Sequence, residues 1–119
     1  MHKLICLLLL VSSLASATDL IVINETGTQM RIEDLKNACQ GSVIKNNQPI
    51  RLAAGESYTF KDLAPVIQTY TVCGAGYCSA TALGVTDLKT YTLRVTLDKG
   101  LITGRAEPDH WKNSYRECK

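Results

Sequence analysis

The sequence predicts an all-β domain: a small antiparallel β-sandwich, immunoglobulin-like or related, carrying one or two short helical turns. Three observations lead there. Apolar and polar residues alternate over short stretches, the period of a half-buried strand. These stretches recur about every 8–12 residues, with glycine-bearing or polar turns between them. No long helical segment is present to build the crossovers of a parallel sheet.

The chain opens MHKLICLLLLVSSLASA. Lys3 is a short positive region, Leu4 to Val11 is unbroken apolar, and Ala15-Ser16-Ala17 offers the small residues a signal peptidase needs. Residues 1–17 are expected to be a cleaved secretory signal, cut after Ala17. The run is shorter than the roughly 18 apolar residues a span requires, and no later segment reaches that length, so no membrane span is expected. Removing residues 1–17 from the 119 leaves 102, enough for a single domain at 18–119. Lys3 leaves with the signal, so twelve basic residues then face eleven acidic ones. That balance gives no steering toward nucleic acid or an anionic membrane.

Strands follow in order. DLIVINE is a β-branched run that ETG interrupts, and TQMRIE resumes it with Met30 and Ile32 on one side. Ile50 and Leu52 precede a turn at Gly55, after which Tyr58 and Phe60 alternate. Ile67 to Cys73 and Tyr77 to Leu83 flank a glycine-rich loop. Thr90 to Leu97 is the clearest strand, with Tyr91, Leu93, Val95 and Leu97 on one face; DKG then turns the chain into LITGRA. Two stretches depart from this pattern. In EDLKNACQG, Leu35, Ala38 and Cys39 fall at i, i+3 and i+4, and Gly41 is placed to end a short helix. In EPDHWKNSYRECK, Asp109 is placed to cap a helical turn that puts Trp111, Tyr115 and Cys118 on one face and Lys112, Arg116 and Lys119 on another.

Export leaves Cys39, Cys73, Cys78 and Cys118, an even count that in a short secreted chain reads as two disulfides. A hairpin setting Cys73 opposite Cys78 brings them within bridging distance, with Gly74 and Gly76 supplying the turn. Cys39 with Cys118 is the remaining pair; a crossed pairing is the alternative. Redox and metal readings fare worse, because neither the C-x2-C spacing of a redox motif nor the paired C-x2-C of a zinc site is present. No metal or other cofactor is expected.

Catalytic patterns are weak. His110 lies beside Asp109, but adjacent helical positions do not face one another, and no nucleophile elbow, phosphate loop or HExxH is present. Asn24-Glu25-Thr26 matches a glycosylation acceptor, although a strand-ending asparagine in a turn explains it equally. The expectation is therefore a monomeric, non-enzymatic protein of the periplasm or extracellular space that binds a protein or glycan. Its candidate contacts are Tyr77 on the bridged loop and Trp111, Tyr115 and Arg116 in the tail, types enriched at binding hot spots. The apolar connection Asp62 to Gln68 is a further candidate surface. An inhibitor of a secreted hydrolase is a narrower form of the same reading. A small hydrolase using His110 is the alternative from another class.

Overall fold

The computed structural model describes residues 17–83 and 89–107. Two sheets face each other. One contains β1 (Thr18–Glu25), β5 (Ser57–Leu63), β8 (Thr90–Asp98) and β9 (Leu101–Glu107) in the order β5-β1-β8-β9. The other runs β3 (Gly41–Ser42), β2 (Met30–Asn37), β6 (Gln68–Gly74) and β7 (Tyr77–Leu83), with β4 (Ile50–Leu52) also paired to β2. The expected small β-sandwich is what the chain forms. All pairings among the described strands are antiparallel except β1 with β8, which run parallel from Asp19 opposite Thr90 to Glu25 opposite Thr96. A parallel neighbour needs a long connection, and here most of the domain is threaded between the two strands.

Alternation explains the core. In β1 every second residue from Thr18 to Asn24 is buried, and in β8 Tyr91, Leu93 and Val95 are buried as their spacing predicts. Met30, Ile32 and Leu35 of β2 and Tyr70 and Val72 of β6 close the layer from the opposite sheet. At about 25 cal/mol per Å² of apolar surface removed from water, this shared layer is the main favourable term holding the sheets together.

The helix expected over EDLKNACQG is not formed. β2 continues to Asn37, a turn covers 38–40, and β3 begins at Gly41. The register shifts between Ile32 and Asp34, so one extra residue is accommodated there and the inward positions become Met30, Ile32, Leu35 and Asn37. The apparent helical stripe of Leu35, Ala38 and Cys39 is thus one inward strand residue followed by two residues of the turn beyond β2. Gly41 does adopt positive φ (75°), but in order to reverse the chain into β3. The only short 3₁₀ turn among the described residues is at Lys45–Asn47. The other expected helix, with His110, Trp111, Tyr115, Arg116 and Cys118, lies outside the described residues, as does the expected signal up to Ser16.

Two buried asparagines tie the ends of the sandwich. Asn37 donates to the Ala64 carbonyl (3.0 Å) and accepts from the amides of Cys39 (2.9 Å) and Gln40 (3.1 Å), fixing the turn that follows β2. Gln40 then clasps the β5–β6 connection, donating to the Asp62 carbonyl and accepting from the Ala64 amide. Asn24 performs the same service at the opposite end, joining the β1–β2 turn to the β4–β5 turn.

A polar group also lies within the core. Gln68 donates its amide to the Tyr91 hydroxyl, with both side chains buried. Burial pushes the Tyr91 phenol well above its ordinary value, and pushes Tyr70 upward in the same way. The folded chain therefore retains protons that unfolded tyrosines release near pH 10. Stability is expected to be undiminished by these groups below about pH 10 and to decline above it, by about 1.4 kcal/mol per pH unit for Tyr91 alone. Urea unfolding at pH 9 and at pH 11 tests this, and Tyr91→Phe should remove its share of the decline.

Candidate binding surface

The tip of the β6–β7 hairpin is built from its register. Gly74 pairs with Tyr77 and Cys73 with Cys78, leaving a two-residue turn of Ala75 and Gly76 with φ of 52° and 83°. Two consecutive positive φ values define the type I′ turn that suits the twist of a hairpin. The expected Cys73–Cys78 bridge is present, across a Cα separation of 4.0 Å. The turn chemistry differs from expectation, because Ala75 takes the positive φ that the sequence had assigned to Gly74. Gly74 is a buried strand residue whose lack of a side chain serves packing. A Cβ there would come within 3.1 Å of the Gln29 carbonyl oxygen and 3.2 Å of Ile102 Cδ1.

Tyr77 emerges directly from this closed turn and is 53% exposed. The β8–β9 hairpin, whose Ile102 packs against Gly74, turns at Lys99-Gly100 and presents Leu101 at 62% exposure. Two large apolar side chains thus stand in solvent on neighbouring turns at one end of the sandwich. The disulfide and the double positive-φ turn fix the backbone beneath Tyr77, so little conformational freedom remains to be lost there on binding.

The remaining expected surfaces divide. Cys39 is disulfide-bonded; Cys118, its expected partner, lies outside the described residues, together with Trp111, Tyr115 and Arg116. In the Asp62 to Gln68 connection, Val66 is buried and Ile67 alone of the apolar residues is exposed, at 47%. Asn24 is fully buried and all its side-chain polar atoms are engaged, so a glycan on it is incompatible with this fold.

Sequence reasoning did not identify a shallow depression of ≈ 330 Å³ on the outer face of the β2-β6-β7 sheet. Thr69 and Thr71 of β6 and Ala80 and Ala82 of β7 floor it, with Asp34 and Lys36 at one side. Its signal was the run of small residues at alternate positions of YCSATAL, legible only once the outward face was known. The outer face of the other sheet neutralises its own charge. Arg94 is hydrogen-bonded to Glu107 and paired with Glu25 at 2.9 Å, contacts that raise its already high pKa. Among the described residues no group of three or more His, Cys, Asp or Glu side chains is placed to hold a metal ion.

No protein-family model matches the chain, and no curated protein matches it. Among solved structures it is similar to a protein from Eubacterium rectale determined by NMR, with a TM-score of 0.60 and 14% identity, over 77% of this chain and 89% of that one. At that identity the likeness establishes a shared fold alone.

Proposed function

We propose that the protein is a small, exported, non-enzymatic binding protein, and that it meets a protein or glycan through the rigid hairpin tips at one end of its sandwich. The observation that carries this reading is Tyr77, 53% exposed on a turn closed by the Cys73–Cys78 bridge. Leu101 on the adjoining turn supplies a second apolar contact. Aromatic side chains on preorganised loops are common anchors, because they offer a large contact area at low entropic cost. The N-terminal signal pattern and the disulfides support a location in the periplasm or outside the cell, where such bridges persist.

The test is retention of native extracellular fluid proteins and of an arrayed glycan set on the immobilised oxidised protein. Tyr77→Ala, Leu101→Ala and, for the second expected surface, Trp111→Ala are compared in parallel. Tyr77→Ala is expected to weaken retention by tenfold or more, a loss of about 1.4 kcal/mol or greater. Equal retention by parent and Tyr77→Ala, or no specific retention by the parent, would overturn the reading.

A further inference from the structure

We infer that β7 is a self-association edge: two copies of the chain pair their β7 strands antiparallel about a two-fold axis at Ala80. This surface runs down the side of the sandwich from the tip proposed above, shares Tyr77 with it, and is tested at Ala80, away from that tip.

The inference begins with how each sheet edge is defended. An open edge offers unpaired amides and carbonyls to any passing strand, and proteins blunt such edges with shortness, charge, proline or bulges. β3 and β4 are two and three residues long. β5 carries Lys61 and Asp62 and a register break opposite Thr18 and Leu20, with Asp62 at a φ of 59°. β9 carries Arg105 and Glu107. β7 has none of these devices, although β9 of the facing sheet passes close to it. It is seven residues, YCSATAL, without charge, proline or register break, and among the described residues no strand pairs with its outer edge.

The hairpin register shows what that edge presents. In a two-residue hairpin the flanking pair is hydrogen-bonded and the pattern then alternates. Tyr77, Ser79, Thr81 and Leu83 therefore bond to β6, while the amides and carbonyls of Cys78, Ala80 and Ala82 point away from it. The short Cα separation at Cys73–Cys78 accords with its being a non-hydrogen-bonded pair.

A two-fold axis at Ala80 sets Ala80 against Ala80 of the second copy and Cys78 against Ala82, so all three outward-pointing residues find partners. On the other face it sets Ser79 against Thr81 and the exposed Tyr77 against Leu83. Small residues meet small and hydroxyls meet hydroxyls, pairings that stabilise neighbouring strands, while Leu83 is already buried in the core of its own copy. Shifting the axis by one residue leaves one of the outward residues without its counterpart within the strand. A second copy is thus the occupant for which the strand is complementary from Cys78 to Ala82, and an isologous pair of this kind closes on itself.

Sedimentation equilibrium of the oxidised protein, from micromolar to millimolar concentration, tests the inference. A monomer–dimer equilibrium is expected, insensitive to salt because the paired strands carry no charge. Ala80→Pro removes an amide that the monomer's own ladder does not use. It should leave thermal unfolding close to the parent while raising the dimer dissociation constant by about a hundredfold. Ala80→Lys places two ammonium groups face to face and should weaken the dimer in a salt-dependent way, which decides the matter should the proline variant not fold. The Cys78, Ala80 and Ala82 amides should become protected from exchange only at dimeric concentrations. A parent monomeric throughout, a dimer unaffected by Ala80→Lys, or protection of those amides in the dilute monomer would each overturn the proposal.

Discussion

Replacing Asn24 with alanine is expected to destabilise the domain by about 3–4 kcal/mol, a large share of the 5–15 kcal/mol typical of a domain. Asn24 is fully buried. Its side-chain amide donates to the carbonyls of Thr28 (2.7 Å), Leu52 (3.0 Å) and Ala53 (3.0 Å). Its side-chain oxygen accepts from the Thr26 amide (3.0 Å) and the Thr26 hydroxyl (2.6 Å). The main chain joins in, with the Asn24 amide bonded to the Glu56 carbonyl and the Gly55 amide to the Asn24 carbonyl. One side chain therefore holds β1 of one sheet to β4 of the other and closes two turns. Alanine leaves several of these groups without partners where water is scarce, and each such group costs about 1–3 kcal/mol.

Asn24→Asp separates the hydrogen-bond argument from simple loss of volume. A carboxylate at this site would face three carbonyl oxygens with no proton to offer, so its folded-state pKa would lie above the value of about 3.9 found in unfolded chains. A raised folded-state pKa means stability that is present at low pH and lost as pH rises. The deficit of Asn24→Asp relative to the parent should therefore be small near pH 3 and grow toward neutrality. Urea denaturation of both variants across that range measures it. An Asn24→Asp deficit that does not change with pH would show that the amide protons are not what holds the turns.

The sequence made β8 plain, because Tyr91, Leu93 and Val95 alternate with threonine and arginine on a sheet that is wet on one side. The β6–β7 hairpin was legible for the same reason, and its bridge followed from spacing. Of β2 only the start at Met30 and Ile32 was, since its bulge lies between Ile32 and Asp34 and no turn residue marks it. The parallel contact of β1 with β8 joins residues about 70 positions apart, and no local period encodes such a pairing. Roles that depend on a distant neighbour were equally hidden. Asn24 looked like the end of a strand, Gln68 like the end of an apolar connection, and Gly74 like a turn residue. For the candidate site, Tyr77 was found because a tyrosine after a short glycine-rich turn is forced to the tip. Leu101 was read only as the first residue of a returning strand, and its exposure depends on where the β8–β9 turn ends relative to the neighbouring sheet.

Gly104 is where a single methyl group should do the most damage in the opposite sense, by overfilling. It lies in β9 opposite Val95, on the face that meets β6 across the sandwich. Its φ is not in the left-handed region, so the position requires glycine for space and not for backbone freedom. A Cβ at this site would overlap the Tyr70 hydroxyl, lie 2.8 Å from Tyr70 Cζ and lie 3.1 Å from Leu93 Cδ1. Tyr70 is 2% exposed and Leu93 1%, so neither ring nor side chain has solvent into which it can retreat. Gly104→Ala is accordingly expected to cost about 2–3 kcal/mol. Tyr70→Phe alone should be neutral or stabilising by up to about 1 kcal/mol, because the Tyr70 hydroxyl is buried and has no hydrogen-bond partner among the described residues. In the double variant the phenyl ring no longer carries the oxygen that the new methyl strikes, so part of the loss should be recovered. The coupling between the two sites should exceed about 1 kcal/mol, well outside the few tenths expected of independent positions. Four equilibrium unfolding curves, for the parent, the two single variants and the double, close the cycle. Strict additivity would mean that β9 moves away from β6 as a unit, with the glycine set by strand curvature and not by the ring it faces.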